Sequence, residues 1–201
     1  METSLLPKAK VAVRQPFRAR RMSYKKLKYF IFVSAVFALA NFGLYFFFLL
    51  RAKEITGSII IPLILYELFN LTYVFFVVPF GKISDKIGRK KILILGYVLF
   101  LAVTLSFIFF ESLIHLIILF ALYGLVYALT QSNQKALVAD LAPEEIEGTS
   151  LGLYSFIIGI VNIIGGLIAG LFWDIGYKNM FIYLSAVAFV SLVLLMFIKE
   201  K

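Results

Sequence analysis

Gly81-Lys82-Ile83-Ser84-Asp85-Lys86-Ile87-Gly88-Arg89-Lys90-Lys91 is the one dense cluster of charge within the apolar part of this chain. Long apolar runs flank it, 59–80 before and 92–110 after. Each is about the length of a membrane-spanning helix, roughly 20 residues. The stretch therefore reads as a very short charged turn between two spans. Gly81 and Gly88 are expected to permit tight backbone geometry at its two ends. Asp85 stands among Lys82, Lys86, Arg89, Lys90 and Lys91. A cytoplasmic loop that only fixes orientation needs the cations. It does not ask for Asp85, or for two glycines at that spacing.

Composition sets the class before any motif does. The chain is 62% hydrophobic and 15% charged, with a mean hydropathy of +0.98. A soluble domain is nearer half apolar and a quarter charged. The reading is an all-α polytopic membrane protein. Each apolar run must be helical, because lipid cannot satisfy exposed backbone polar groups. The runs are apolar on all sides, so the alternation of a β-barrel strand is absent. Six spans fall near 29–50, 59–80, 92–110, 113–134, 149–172 and 179–198.

Residues 1–28 form a basic tail ahead of this six-helix domain, interrupted by Pro7 and Pro16. It reads as a cytoplasmic tail that fixes orientation, with a surface helix drawn to anionic lipid as the alternative. Its basic stretch and the apolar run after it are both too long for a secretory signal peptide. The net charge of +9 does not point to nucleic acid, because the cations crowd into the tail and the charged turn. Both lie next to spans, as membrane topology requires. The same asymmetry places both termini, with Lys199 and Lys201, and the charged turn in the cytoplasm. Arg51, Lys53, Glu111 and Lys178 fall outside. The expected location is the plasma (inner) membrane, with the lipid bilayer as the first partner. The absence of cysteine excludes disulfides and thiol chemistry.

Gly81, Asp85, Lys86, Gly88, Arg89, Lys90 and Lys91 fill the pattern Gly-x-x-x-Asp-(Lys/Arg)-x-Gly-Arg-(Lys/Arg)-(Lys/Arg). It resembles the signature loop of the major facilitator superfamily of secondary transporters. The resemblance implies a fold of twelve spans in two six-helix halves, of which this chain holds one. The basic tail looks like the linker between halves. The stretch 136–143 followed by Gly148-Thr149-Ser150-Leu151-Gly152 is similar to the connection between the fourth and fifth spans of second halves. Both imply the C-terminal half. The family commonly has a basic residue ahead of that glycine; here it is Glu147. The implied function is movement of a small solute by alternating access, coupled to protons. A half cannot enclose a path alone, so a complementary six-helix half, a second copy, or an inactive fragment all stay open. The alternative is a truncated, non-transporting membrane protein that binds or regulates another one. Neither reading makes it an enzyme or asks for a cofactor or metal.

Polar residues inside spans face protein or water, and charges there are costly. Spans one, two, four and five carry the stronger ones: Asn41, Glu67, Asn70, Gln131 and Asn162. Spans three and six carry milder ones, among them Tyr97, matching the family layout in which those two spans are peripheral. Glu67 and Asn70 share a helix face at i, i+3 and are candidates for proton coupling or cavity lining. Held neutral by an interhelical hydrogen bond, Glu67 would instead be structural. Tyr123, Tyr127 and Gln131 form one stripe on span four, fit either for packing or for a cavity wall. Gly166 and Gly170 form a small-xxx-small pair for close helix packing. Gly148-Thr149-Ser150-Leu151-Gly152 also matches a nucleophile pattern, but His115 lies a bilayer thickness away, so no esterase is expected.

At the cytoplasmic end the resemblance implies a gate. Spans two and five are taken to run side by side, so Asp85 would accept hydrogen bonds from the span-five start at Gly148. Arg89 would reach Asp140 at the inner end of span four.

Overall fold

The computed structural model describes residues 24–109 and 112–198. The first part of the tail (1–23), Glu111, Lys199 and Lys201 lie outside the described residues. Every described element is helical: α1 Tyr24–Ala40, α2 Tyr45–Thr56, α3 Ile60–Ile87, α4 Arg89–Phe109, α5 Leu113–Leu141, α6 Glu147–Ile175 and α7 Tyr177–Met196. A single 3-10 turn, Glu144–Ile146, precedes α6. Six of these stretches are long and apolar enough to cross a membrane, with α1 and α2 together making the first.

The charged turn is shorter than its sequence suggests. Residues 81–87 continue α3, and only Gly88 stands outside a helix. Gly88 has φ +104°, which a side chain would strain, and its N–H bonds Ser84 O at 3.0 Å. Gly81 is ordinary helix, and the expectation of a tight turn there is corrected. Lysine and aspartate side chains do not oppose helix once the chain has left lipid, so α3 simply runs on. With 28 residues it is about 42 Å long, well beyond a hydrocarbon core of about 30 Å. The first span departs in the other direction. A continuous helix over 29–50 was expected, but the helix breaks at 41–44, where Gly43 has φ +85°.

Helix pairing follows a simple rule. α3 packs on α5, α6 on α1, α4 on α5, and α7 on α1; α4 and α7 pack on each other. Exchanging spans one and four, two and five, three and six leaves this pattern unchanged. The exchanged helices run in opposite directions, so the bundle is an inverted repeat of two three-helix units. α3 and α6 do not touch. The expectation that spans two and five run side by side within this chain is therefore wrong: they flank the central α1–α5 pair on opposite sides. They are also its most open helices. Only 17% of the most apolar window of α3 and 11% of that of α6 are buried, against 50% for α5. Within this chain spans three and six are better covered than spans two and five.

Glycine sets the closest approaches, at symmetric positions. A Cβ on Gly124 of α5 would come within 2.6 Å of Phe69 O and 2.8 Å of Thr72 Cβ on α3. A Cβ on Gly165 of α6 would come within 2.8 Å of Leu39 O on α1. The expected Gly166–Gly170 pair is not the packing face. A Cβ on Gly170 meets nothing within 4 Å, while Gly165 and the fully buried Ala169 face the bundle. Between the helices, rings close the core: Phe37 stacks on Tyr97 at 3.8 Å, and Phe48 on Phe107 at 4.0 Å. Gly124→Ala should destabilise the bundle by about 1–3 kcal/mol through overpacking. Gly159→Ala, with nothing within 4 Å of its Cβ, should stabilise it by up to about 1 kcal/mol. Thermal unfolding of both variants in one detergent checks the contrast; equal midpoints would show that the glycine contact does not set the α3–α5 distance.

Candidate functional site

The pairing leaves one face of the bundle open. α4 and α7 close one side of the α1–α5 pair. α3 and α6 stand apart at its flanks, so α1, α2 and α5 form a floor between two walls. The break in the first span lies in this floor. Asn41 Oδ1 there accepts a hydrogen bond from Tyr123 OH at 2.7 Å, tying the break to α5.

A continuous sheet of rings spreads from that bond. Tyr45 lies 5.3 Å from Tyr66, Tyr66 5.7 Å from Phe69, and Phe69 5.3 Å from Tyr123 and 5.1 Å from Tyr127. Tyr73 meets Tyr127 edge to face at 6.2 Å. Tyr123 and Phe69 are buried, and Tyr45, Tyr66, Tyr73 and Tyr127 are half-buried around them. The structure thus brings Asn41, Asn70 and Tyr127 to one place. Asn70 turns inward on its own helix, donating from Nδ2 to Tyr66 O at 3.0 Å. Gln131 is exposed one turn further toward the end that carries the charged turn. Asn162 is half-buried on α6, the other wall.

Glu67 stands elsewhere. Leu65, Phe69 and Thr72 turn toward α5, and at about 100° per residue Glu67 falls on the opposite side of α3. It is exposed and makes no hydrogen bond or ion pair among the described residues. The interhelical hydrogen bond considered for it is absent within this chain.

At the end of the bundle that carries the charged turn, one guanidinium joins three helices. Arg89, the first residue of α4, pairs through Nη1 with Asp85 Oδ1 of α3 at 3.0 Å. It also donates to Ser84 Oγ at 3.3 Å, and through Nε to Asp140 Oδ2 of α5. Arg89 is 23% exposed, Asp140 47% and Asp85 60% in their side chains. Asp85 is therefore spent on Arg89 and does not approach Gly148. A Cβ on Gly148 would meet nothing within 4 Å. That part of the expected gate is corrected, and the separation of α3 from α6 is the reason. Lys86 and Lys91 are exposed.

Three arrangements escaped the sequence. Lys90 Nζ donates to Met196 O at 3.0 Å and to Ile198 O, so a signature cation closes the last turn of α7. Gln134, buried on α5, donates to Tyr97 OH at 2.9 Å and accepts from Tyr154 OH at 3.1 Å, joining α4, α5 and α6. At the end opposite the charged turn Arg51 is buried, bonds Glu54 at 2.9 Å and stacks on Tyr177 at 3.6 Å. The signal for the second was a run of four polar residues ending at Gln134; its meaning depends on which spans meet.

The family model described as Major Facilitator Superfamily matches residues 30–201. The chain belongs to the major facilitator superfamily. Among curated members it is 47% identical to an uncharacterized MFS-type transporter of Methanocaldococcus jannaschii, over 87% of this chain and 45% of that one. It is 35% identical to the multidrug resistance protein MdtG of Proteus mirabilis, over 66% of this chain and 34% of that one. A shorter match, 32% identical over 40% of this chain, is to the galactose-proton symporter of Escherichia coli, of which it covers 17%. This superfamily chain thus spans less than half the length of these relatives.

Membership gives the Arg89 node a context, and its strength is measurable. Partly exposed pairs are typically worth about 0.2–1 kcal/mol. A double-mutant cycle of Arg89→Gln and Asp140→Asn, read by thermal unfolding, should return a coupling in that range. A coupling of zero would mean that the contact does not hold α4 to α5.

Proposed function

We propose that this chain is the C-terminal six-span half of a secondary transporter, moving a small solute by alternating access with proton coupling. The observation that carries the reading is the open face: two flanking walls without mutual contact, and a floor of half-buried rings and amides with a helix break in it. Discontinuous helices at mid-membrane are where transporters of this class hold their cargo.

The solute path needs a second body. An intramembrane carboxylate turned outward costs about 2.5–3.5 kcal/mol in lipid, so Glu67 calls for protein or water against the outer side of α3. A complementary six-helix half, or a second copy, supplies both that cover and the other side of the path. The multidrug and symporter relatives support solute movement and leave the solute open. Arg89, Asp85, Asp140 and Lys90 hold the cytoplasmic ends of α3, α4, α5 and α7 as one rigid unit that rocks against the second body.

Two outcomes test this. In proteoliposomes containing the chain and its complementary half, Glu67→Gln should retain counterflow exchange and lose proton-driven accumulation, solute stopping at its equilibrium level. Normal accumulation by that variant would remove Glu67 from coupling, and no counterflow by the unaltered pair would remove transport. For orientation, a cysteine placed at Ser112 should react with an impermeant thiol reagent added outside, while one at Lys86 should be protected. The reverse labelling would invert the topology.

A further inference from the structure

We infer that the ring sheet of the open face binds a planar aromatic solute without negative charge, stacked on Tyr73 and Tyr127. This deepens the transport reading and names the class of its cargo.

The floor presents rings, and the polar groups between them turn inward. Tyr123 OH donates to Asn41. The Asn70 amide donates to Tyr66 O at 3.0 Å, and Thr72 Oγ1 to Leu68 O at 2.8 Å. A polyol needs several donors and acceptors aimed at it, since each hydroxyl buried without a partner costs its desolvation. Here the amide and threonine groups are engaged with the protein's own helices, and the phenol hydroxyls of Tyr45, Tyr66 and Tyr73 are the polar groups at the rim of the rings. The half-buried edges of Tyr45, Tyr66, Tyr73 and Tyr127 remain, around the buried Phe69 and Tyr123. Neighbouring centroids lie 5.1–6.2 Å apart across Phe69, Tyr127 and Tyr73, the spacing of edge-to-face and offset contacts that a further flat ring continues.

Charge narrows the class. Ring faces are the negative part of the quadrupole, so they attract cations and repel anions. No lysine or arginine lies in α3 between Ile60 and Phe80, or in α5 between Leu113 and Gln134. Nothing on these two helices at the level of the rings offsets an anionic substituent. A neutral or cationic aromatic is the solute these walls accept.

The test uses the full chain in lipid nanodiscs, with ethidium as the planar aromatic probe and galactose as the polyol. Ethidium anisotropy, corrected with empty nanodiscs, should show saturable binding that excess galactose does not displace. Tyr73→Leu and Tyr127→Leu should each weaken it by about fivefold to tenfold, and Tyr127→Phe should leave it within about twofold. The inference fails if ethidium does not saturate, if galactose displaces it, or if both leucine variants bind unchanged. It also fails if Tyr127→Phe loses as much as Tyr127→Leu, because the phenol rather than the ring would then be the contact. Saturable, tyrosine-dependent binding without counterflow in the paired proteoliposomes would keep this site and remove the transport reading.

Discussion

Lipid offers no partner to a backbone N–H or C=O, so every crossing must be helix throughout, and any interruption needs its own support. The rest of this bundle depends on that constraint. A helix that enters the membrane has no reason to stop until it reaches water, and α3 and α5, of 28 and 29 residues, are longer than the hydrocarbon is thick. Breaks occur only where a residue makes them tolerable. Gly88 reverses the chain in a single step with φ +104°. The break at 41–44 is the one interruption inside a span among the described residues, and a neighbouring helix supports it: Tyr123 OH donates to Asn41. The same bond anchors the ring sheet. A departure from regular helix and a concentration of polar and aromatic groups therefore share one place.

The inverted repeat explains which surfaces are left over. Each unit places its middle span, α3 or α6, against the first helix of the other unit. The glycines that permit this lie at matched interfaces: Gly124 against the backbone at Phe69, Gly165 against the backbone at Leu39. Once each middle span is committed to the opposite unit, the two cannot also meet each other. The open face follows from helix packing alone. So does the outward direction of Glu67, because the side of α3 facing α5 is fully used by Leu65, Phe69 and Thr72.

Much of this was legible in the residues, and the boundary of legibility has a physical cause. Hydropathy located all six spans, because burial in lipid is a property of a segment by itself. The signature residues pointed to the family for the same reason. Pairings were not legible. Tyr97 looked mild and Gln134 unremarkable until α4, α5 and α6 were brought together around them. Gly170 looked like a packing glycine and Gly124 did not, since a helix shows its contact face only once its neighbour is known. The Asp85–Gly148 contact failed on topology, because it needed spans two and five to be adjacent. Arg89 and Asp140 did meet, since both sit at the same end of helices that pack directly.

Charge and burial divide the labour in this chain by depth. At the charged end of the bundle each ion pair is partly exposed and individually weak, yet Arg89 and Lys90 are consecutive residues reaching four helix ends: α3 and α5 through one, α7 through the other, with α4 carrying both. One short segment thus couples helices that the packed core already holds. Within the membrane the opposite holds. There a single hydrogen bond, from Tyr123 OH to the half-buried Asn41, ties a helix break to α5. The helix ends are thus joined by several weak contacts at the surface, and the break at the centre by one hydrogen bond to its neighbour.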